Sequence, residues 1–473
     1  MSRPDPTSLR GPRLERAPSR WPWLALACAI ALGLGGARAD DGAGAPPARR
    51  RSVIYFIGDG MGVSQLTLGR LGAASLGVPH HLDRLPVVGL ACTRSLDRVV
   101  TDSAAAGTAL ASGFRTNNQV VGQTPAGEPL ESLVEAARRG GWRTGVVTTT
   151  RITHATPACF LTHVVHRDRE DEIAAQMVAR PVADVVIGGG ARHFTKDGRL
   201  EALAAAGYAV ATDPAQLAAA TGERLFAVLA PSHLPYAIER PAGFPSLRDL
   251  TRRAVEVLAP QGPFVLMVEG GRVDHAAHEH DAAACLRDQL DLDQAVGWAL
   301  DRARDDPDLL VVVTADHATG SLGISEVARV DRLLTCTASA EQLTARRVDL
   351  GDPAAVAAFV AAVEGATGVA LTPAEVERVW RAPGGYGPRT TLGHLVSARH
   401  GVEFYDLETQ ETRHTNTHGH DGAMVPVLAS GPEAGRFAGV YANTEVPRRI
   451  ARVLGVPLPG VDLPAPARGE RGL

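Results

Sequence analysis

The sequence predicts an α/β fold: a three-layer sandwich with a central, largely parallel sheet flanked by helices, plus a small inserted subdomain. Three observations predict it. Short β-rich apolar runs alternate with longer helical stretches along most of the chain. The runs are apolar almost throughout, as strands buried on both faces are. Polar residues cluster just after several of them, where open α/β sheets place their ligands.

The elements follow in order. The opening segment sets six arginines against Asp5 and Glu15, then an apolar run from Trp21 to Leu34, then Ala37-Arg38-Ala39. That pattern predicts a signal peptide over residues 1–39, cut before Asp40. The apolar run is shorter than the ~20 residues that span a bilayer, so an anchor is the lesser reading. The expected destination is the periplasm or beyond, with no stable membrane association once processed. Removing the segment takes the net charge from −4 to −8. No basic stripe with interleaved aromatics is present, which argues against nucleic acid as a partner. Four cysteines remain: Cys92, Cys159, Cys285 and Cys336. None has C-x-x-C spacing, which argues against a thiolate metal site. They read equally as buried free thiols or as disulfides in one of three pairings.

Residues 40–51 have linker composition, and a catalytic domain is expected over 52–456. Strand candidates are Ser52–Ile57, Thr144–Thr149, Ala183–Ile187, Phe264–Val268, Leu309–Thr314 and Met424–Leu428. Helical stretches fall near Ser103–Ala111, Leu130–Arg139, Arg169–Val178, Ser246–Leu258 and Ala282–Ala303. Residues 321–415 differ in texture, with short helical patterns at Pro353–Val363, Pro373–Trp380 and Thr391–His400 and a glycine-rich patch at 384–387. They read as an inserted lid or interface subdomain. The tail 457–473 is expected to be disordered.

Several of these strands end in chemistry. Asp59 follows the first, His154 and Thr156 follow the second, Glu269 and Asp274 follow FVLMV, and Asp316 and His317 follow LLVVVT. Asp274 and His278 stand at i and i+4, so they can share one helical face. A buried carboxylate beside a buried imidazole, as at Asp316-His317, has to be paired or bind metal. His420 precedes another strand candidate. Three carboxylates and three imidazoles (Asp59, Asp274, Asp316, His278, His317, His420) fit two adjacent divalent ions, the arrangement that clamps both oxygens of a phosphoryl displacement. Ser103, in Thr101-Asp102-Ser103-Ala104-Ala105, opens a helical run. Asp102 or Ser103 could simply cap it, but a helix N-terminus also suits a phosphate.

At these residues the chain resembles the alkaline phosphatase family. The matching stretches are Ile57–Gly62, Val100–Ala104, His154–Pro157, Val268–His275 with His278, and Val313–Ala318. The likeness runs in order from about Val53 to Ile450 and is weakest across 321–415. It implies hydrolysis of small phosphate monoesters at alkaline pH, through a phosphoserine on Ser103. It implies one zinc held by Asp59, Asp316 and His317, and a second held by Asp274, His278 and His420. A third ion, magnesium in many members, would lie among Asp59, Thr156 and Glu269, with His154 beside it. Arg167 would grip phosphate, steadied by Asp102, and a homodimer is implied. His154 and His275 stand where some bacterial members carry Asp and Lys, and where animal members carry His. His418 and His420 stand for one ligand role, and the spacing to Val425-Pro426-Val427 favours His420.

Two other readings compete. One is a phosphodiesterase or sulfatase of the same superfamily, against which the T-D-S-A-A setting of Ser103 and the three-ion ligand set speak. The other is a non-catalytic secreted protein that binds phosphate or metal on this scaffold. Its mark would be a lost nucleophile or ligand, and none is lost.

Overall fold

Ser52–Ile57 is buried at every residue, so it needs cover on both faces and a partner on both edges. The computed structural model, which describes residues 50–381, 387–405 and 419–458, supplies both. The strands are β1 (Ser52–Ile57), β2 (Val87–Cys92), β3 (Arg143–Arg151), β4 (Val185–Gly189), β5 (Ala209–Ala211), β6 (Leu225–Val228), β7 (Phe264–Glu269), β8 (Leu309–Thr314), β9 (Ala318–Thr319), β10 (Gly323–Ile324), β11 (Val402–Glu403), β12 (His420–Asp421), β13 (Val425–Ser430) and β14 (Gly439–Ala442). Ten of them form one sheet, in the order β14-β2-β13-β8-β1-β7-β3-β4-β6-β5. Only β13 runs against its neighbours; every other pairing in that sheet is parallel. The α/β class and the largely parallel sheet are as the sequence predicts.

Each expected strand is present within one or two residues of its expected ends. The strands not foreseen are short or interrupted. β5 and β6 have three and four residues. β2 contains Gly89, where a Cβ would lie 2.3 Å from the carbonyl oxygen of Phe437. The helix expected from Leu130 begins at Leu133, because Ser132 and Glu135 form a capping box that fixes its start. All four cysteines of the described chain are free, so the disulfide alternative falls. Cys159 and Cys285 are buried inside apolar packing, which pushes the Cys159 thiol up to about 12 and raises that of Cys285 as well. The signal-peptide expectation, most of the glycine-rich patch, His418 and the tail beyond Leu458 lie outside the described residues. Among the described residues no helix is long and apolar enough to cross a membrane.

The described part of the 321–415 segment is largely helical, with helices at Pro353–Thr367, Pro373–Arg381 and Pro388–Arg399. It has a small apolar core of its own, including Phe359, Val363, Val379 and Leu392. It docks on the loop after His278. Asp281 Oδ2 accepts from Ala340 N–H at 2.7 Å, and Ser397 Oγ donates to the His280 carbonyl at 2.7 Å. Gly393 permits the contact: a Cβ there would lie 2.1 Å from the Glu279 carbonyl oxygen. Gly393→Ala is therefore expected to cost about 1–3 kcal/mol, the usual penalty for overpacking. Urea unfolding monitored by circular dichroism reads it, and an unchanged midpoint would contradict this docking.

Candidate active site

The site lies at the carboxyl ends of β1, β3, β7 and β8, the edge where α/β sheets hold ligands. Asp59 follows β1, Glu269 ends β7, Asp316 follows β8, and His154 opens the helix Ala155–Leu161 after β3. The loop after β1 must pass close to Asp274. Gly60, at φ 73°, would place a Cβ 2.8 Å from the Asp274 Cα. Only glycine tolerates both the conformation and the approach.

Three groups of potential ligand atoms result, each with its atoms within 4.8 Å of one another: Asp274, His278 and His420; Asp59, Asp316 and His317; and Asp59, His154 and Glu269. The first two are the sets expected from the sequence. The third contains His154, while Thr156 reaches it through a hydroxyl that donates to Asp59 Oδ2 at 3.3 Å.

The polar atoms show what the groups lack. Asp59 Oδ1, Asp316 Oδ2 and Glu269 Oε1 are buried with no hydrogen-bond partner. His420 donates from Nδ1 to the Thr101 carbonyl at 3.0 Å, which leaves its Nε2 lone pair 3.6 Å from Asp274 Oδ1. His278 Nε2 approaches the same His420 nitrogen at 2.9 Å. Electron pairs aimed at one another across a dry interior need a cation between them. Carboxylate oxygens and imidazole nitrogens in sets of three suit zinc or a similar ion. The residues present therefore fit divalent cations.

The charges agree. Burial, and then the negative charges of Asp316, Asp274 and Glu269, push the Asp59 carboxyl well above the usual range. Burial does the same to Glu269, up to about 7, against the hydroxyls of Thr148 and Thr150. Burial would also raise Asp274, but His278, His420 and His317 hold it well below the usual range. His154 and His420 are pushed down by burial and nearby positive groups, which keeps both imidazoles neutral.

Ser103 is the first residue of the helix Ser103–Ser112 and is 1% exposed. Its Oγ lies 3.2 Å from His317 Nε2. Asp102 does two jobs. Its Oδ1 caps the helix by accepting from Ala105 N–H at 2.9 Å, and its Oδ2 accepts from the Arg167 guanidinium at 3.2 Å. The capping reading therefore holds for Asp102. Arg167 also donates to His154 Nε2 at 3.1 Å. A cavity of about 590 Å³ opens over Ser103, Arg167, Asp274, His275, His278 and His420.

Sequence reasoning missed several residues here. The Thr319 hydroxyl accepts from His317 Nδ1 at 3.1 Å and donates to Asp274 Oδ1 at 2.6 Å, tying one group to the next. Its signal was available, two places after His317. Gln119, at φ 75°, donates its N–H to Asp102 Oδ2 and accepts from Arg167 N–H through its carbonyl. His233 packs edge-on against His154 and His275. Neither stands in a pattern that marked it.

A serine at a helix N-terminus, set between carboxylate–imidazole clusters on a parallel α/β sheet, defines a metal-dependent hydrolase architecture. Comparison narrows the class. The alkaline phosphatase family model matches residues 50–456. Alkaline phosphatase 3 of Bacillus subtilis is 32% identical over 423 residues, covering 85% of this chain and 89% of that protein. Streptomycin-6-phosphate phosphatase of Streptomyces griseus is 33% identical, covering 87% and 92%. Among solved structures, the Thermus thermophilus alkaline phosphatase superposes with a TM-score of 0.78 at 33% identity, covering 86% of this chain and 92% of that one. The alkaline phosphatase of the Antarctic bacterium TAB5 gives 0.63 at 26% identity, covering 86% and 99%; that structure is of a histidine-to-glutamate variant with magnesium in its M3 site. The chain belongs to the alkaline phosphatase family.

The ligand groups generate a prediction about stability. With cations chelated, Glu269 keeps its folded-state value near 7, above the ~4.3 of an unfolded chain. A carboxyl raised on folding costs stability as pH rises through that window, because the unfolded state ionises first. Chelated protein should lose melting temperature between about pH 4 and pH 7 relative to zinc-loaded protein at each pH. Parallel pH curves in scanning calorimetry would contradict the assignment.

Proposed function

We propose that the protein hydrolyses phosphate monoesters to an alcohol and inorganic phosphate through a phosphoserine on Ser103. The observation that carries this reading is the position of Ser103 Oγ. It sits at a helix N-terminus, 3.2 Å from His317 Nε2, with Arg167 anchored beside it on Asp102.

The residues divide the work. The free amides at the start of the helix Ser103–Ser112 favour an anion over Ser103. Arg167 presents its planar fork to two phosphate oxygens, and Asp102 fixes its direction. Asp59, Asp316 and His317 would hold one zinc and Asp274, His278 and His420 the other, with Glu269, Asp59 and Thr156 holding a third ion such as magnesium and His154 beside it. When bound, the ions supply Lewis acidity and lower the pKa of the oxygens they touch. Ser103 Oγ then attacks phosphorus in line, the ester oxygen leaves with a proton, and water later attacks the phosphoserine. Loss of a proton from the attacking oxygen at each step accounts for an alkaline optimum. Most of the catalysis is positioning and electrostatics. Streptomycin-6-phosphate phosphatase lies among the relatives, so phosphorylated sugars and aminocyclitols belong in the substrate panel. Export and a homodimer complete the reading.

Hydrolysis of an aryl phosphate monoester from pH 6 to 11 should be abolished by chelator and restored by zinc, rising into alkaline pH. Ser103→Ala should lose at least about 10³-fold in kcat while keeping its metal. A matched diester or sulfate ester cleaved faster than the monoester, or full activity in Ser103→Ala, would overturn the reading. Arg167→Met should weaken competitive inhibition by inorganic phosphate about 10–100-fold, the worth of a hydrogen bond to a charged group.

A further inference from the structure

Arg272 opens the helix Arg272–His278, yet the role of its side chain is not set by the ligand groups. It is 5% exposed. Its guanidinium lies 3.5 Å from the centroid of the Tyr236 ring. From there it makes two polar contacts. One nitrogen donates to Glu341 at 3.1 Å, and the other meets His275 Nδ1 at 2.9 Å. Glu341 belongs to the short helix Ala340–Leu343 of the inserted segment. His275 lines the cavity over Ser103.

A guanidinium carries only donors and stays charged. His275 Nδ1, facing it, has to accept. A neutral imidazole has one accepting nitrogen and one N–H, so its proton sits on Nε2. The ring plane is also fixed. His154 stands edge-on to it, with centroids 5.2 Å apart, and His233 at 4.3 Å. The Glu341 end is held as well. Ser339 donates to Glu239 at 2.9 Å, and Ala340 N–H donates to Asp281.

We propose that Arg272 is a positioning residue: held by Glu341 of the inserted segment, it locks His275 as the Nε2–H tautomer and so gives the phosphate cavity a neutral hydrogen-bond donor. The inserted segment thereby reaches the reaction centre through one ion pair. The inference rests on the preceding reading in taking the cavity to bind phosphate. The tautomer itself does not depend on it.

The test uses zinc-loaded protein labelled with ¹⁵N-histidine, with His275 identified by the signal missing from His275→Gln. Long-range ¹H–¹⁵N spectra separate a protonated ring nitrogen from a bare one. Wild type and Arg272→Lys should show protonated Nε2 and bare Nδ1. Arg272→Met should show the opposite tautomer or a mixture. Its kcat/KM for an aryl phosphate should fall about tenfold, the scale of one hydrogen bond, with Arg272→Lys recovering most of the loss. Glu341→Ala, which leaves Arg272 in place but unclamped, should show a mixture of tautomers. Protonated Nδ1 in the wild type would overturn the proposal, as would an unmixed Nε2–H form in both Arg272→Met and Glu341→Ala. If Arg272→Met does not fold, Glu341→Ala decides alone: mixed tautomers support the clamp and an unmixed Nε2–H form overturns it. Spectra are read on the resting protein, so absence of turnover would sink the phosphatase reading without touching this one.

Discussion

Four carboxylates buried within a few ångströms of one another set the terms for this structure. Asp59, Glu269, Asp274 and Asp316 stand at the ends of adjacent strands or just beyond them, each 2% exposed or less. Two like charges 4 Å apart repel by about 4 kcal/mol even at an effective dielectric of 20. Arg167 and the imidazoles offset part of that. The remainder calls for cations, and the orphaned oxygens of Asp59, Asp316 and Glu269 mark where positive charge is missing. Only a rigid frame can hold such groups together. β1, flanked by β7 on one side and β8 on the other, provides it at the centre of the sheet.

The nucleophile follows from the same frame. Ser103 arrives on a helix from outside the central strands, so its placement has to be fixed separately. Asp102 does this with one carboxylate, capping the helix with one oxygen and steering Arg167 with the other. Gln119 closes the arrangement through its backbone. Its left-handed φ of 75° lets a single residue bond both Asp102 and Arg167. Such strain at a site signals that the surroundings over-determine the conformation.

Legibility in the sequence tracks how local each signal is. Asp59, Glu269, Asp316 and His317 were readable because long apolar runs stop abruptly at them, and a polar residue at the end of a buried strand is anomalous in composition alone. Asp274 and His278 were readable from helical spacing. His420 was harder, since its placement depends on the two-residue pairing of β12 with β9, which sets His420 opposite Thr319. Nothing in local pattern announces so short a ladder. His233, Gln119 and Arg272 escaped because their meaning lies in contacts between loops distant in sequence. The short strands β5 and β6 escaped because three or four residues show no period.

The β9–β12 pairing also explains why the inserted segment is docked so firmly. Thr319 and His420 are separated by roughly 100 residues, and closing a loop of that length costs on the order of 4 kcal/mol. Two ligand groups depend on this closure, one through His317 and one through His420. A loosely tethered insertion would let His420 drift from Asp274 and would leave that carboxylate without its imidazole. The contacts of Asp281, Ser397 and Gly393 pin the insertion to the loop immediately after His278, at the other end of the same ligand group. The insertion thus braces the second ligand group at its His278 end. The insertion is the part of the chain least recognisable by pattern, yet it is joined to the site by specific bonds.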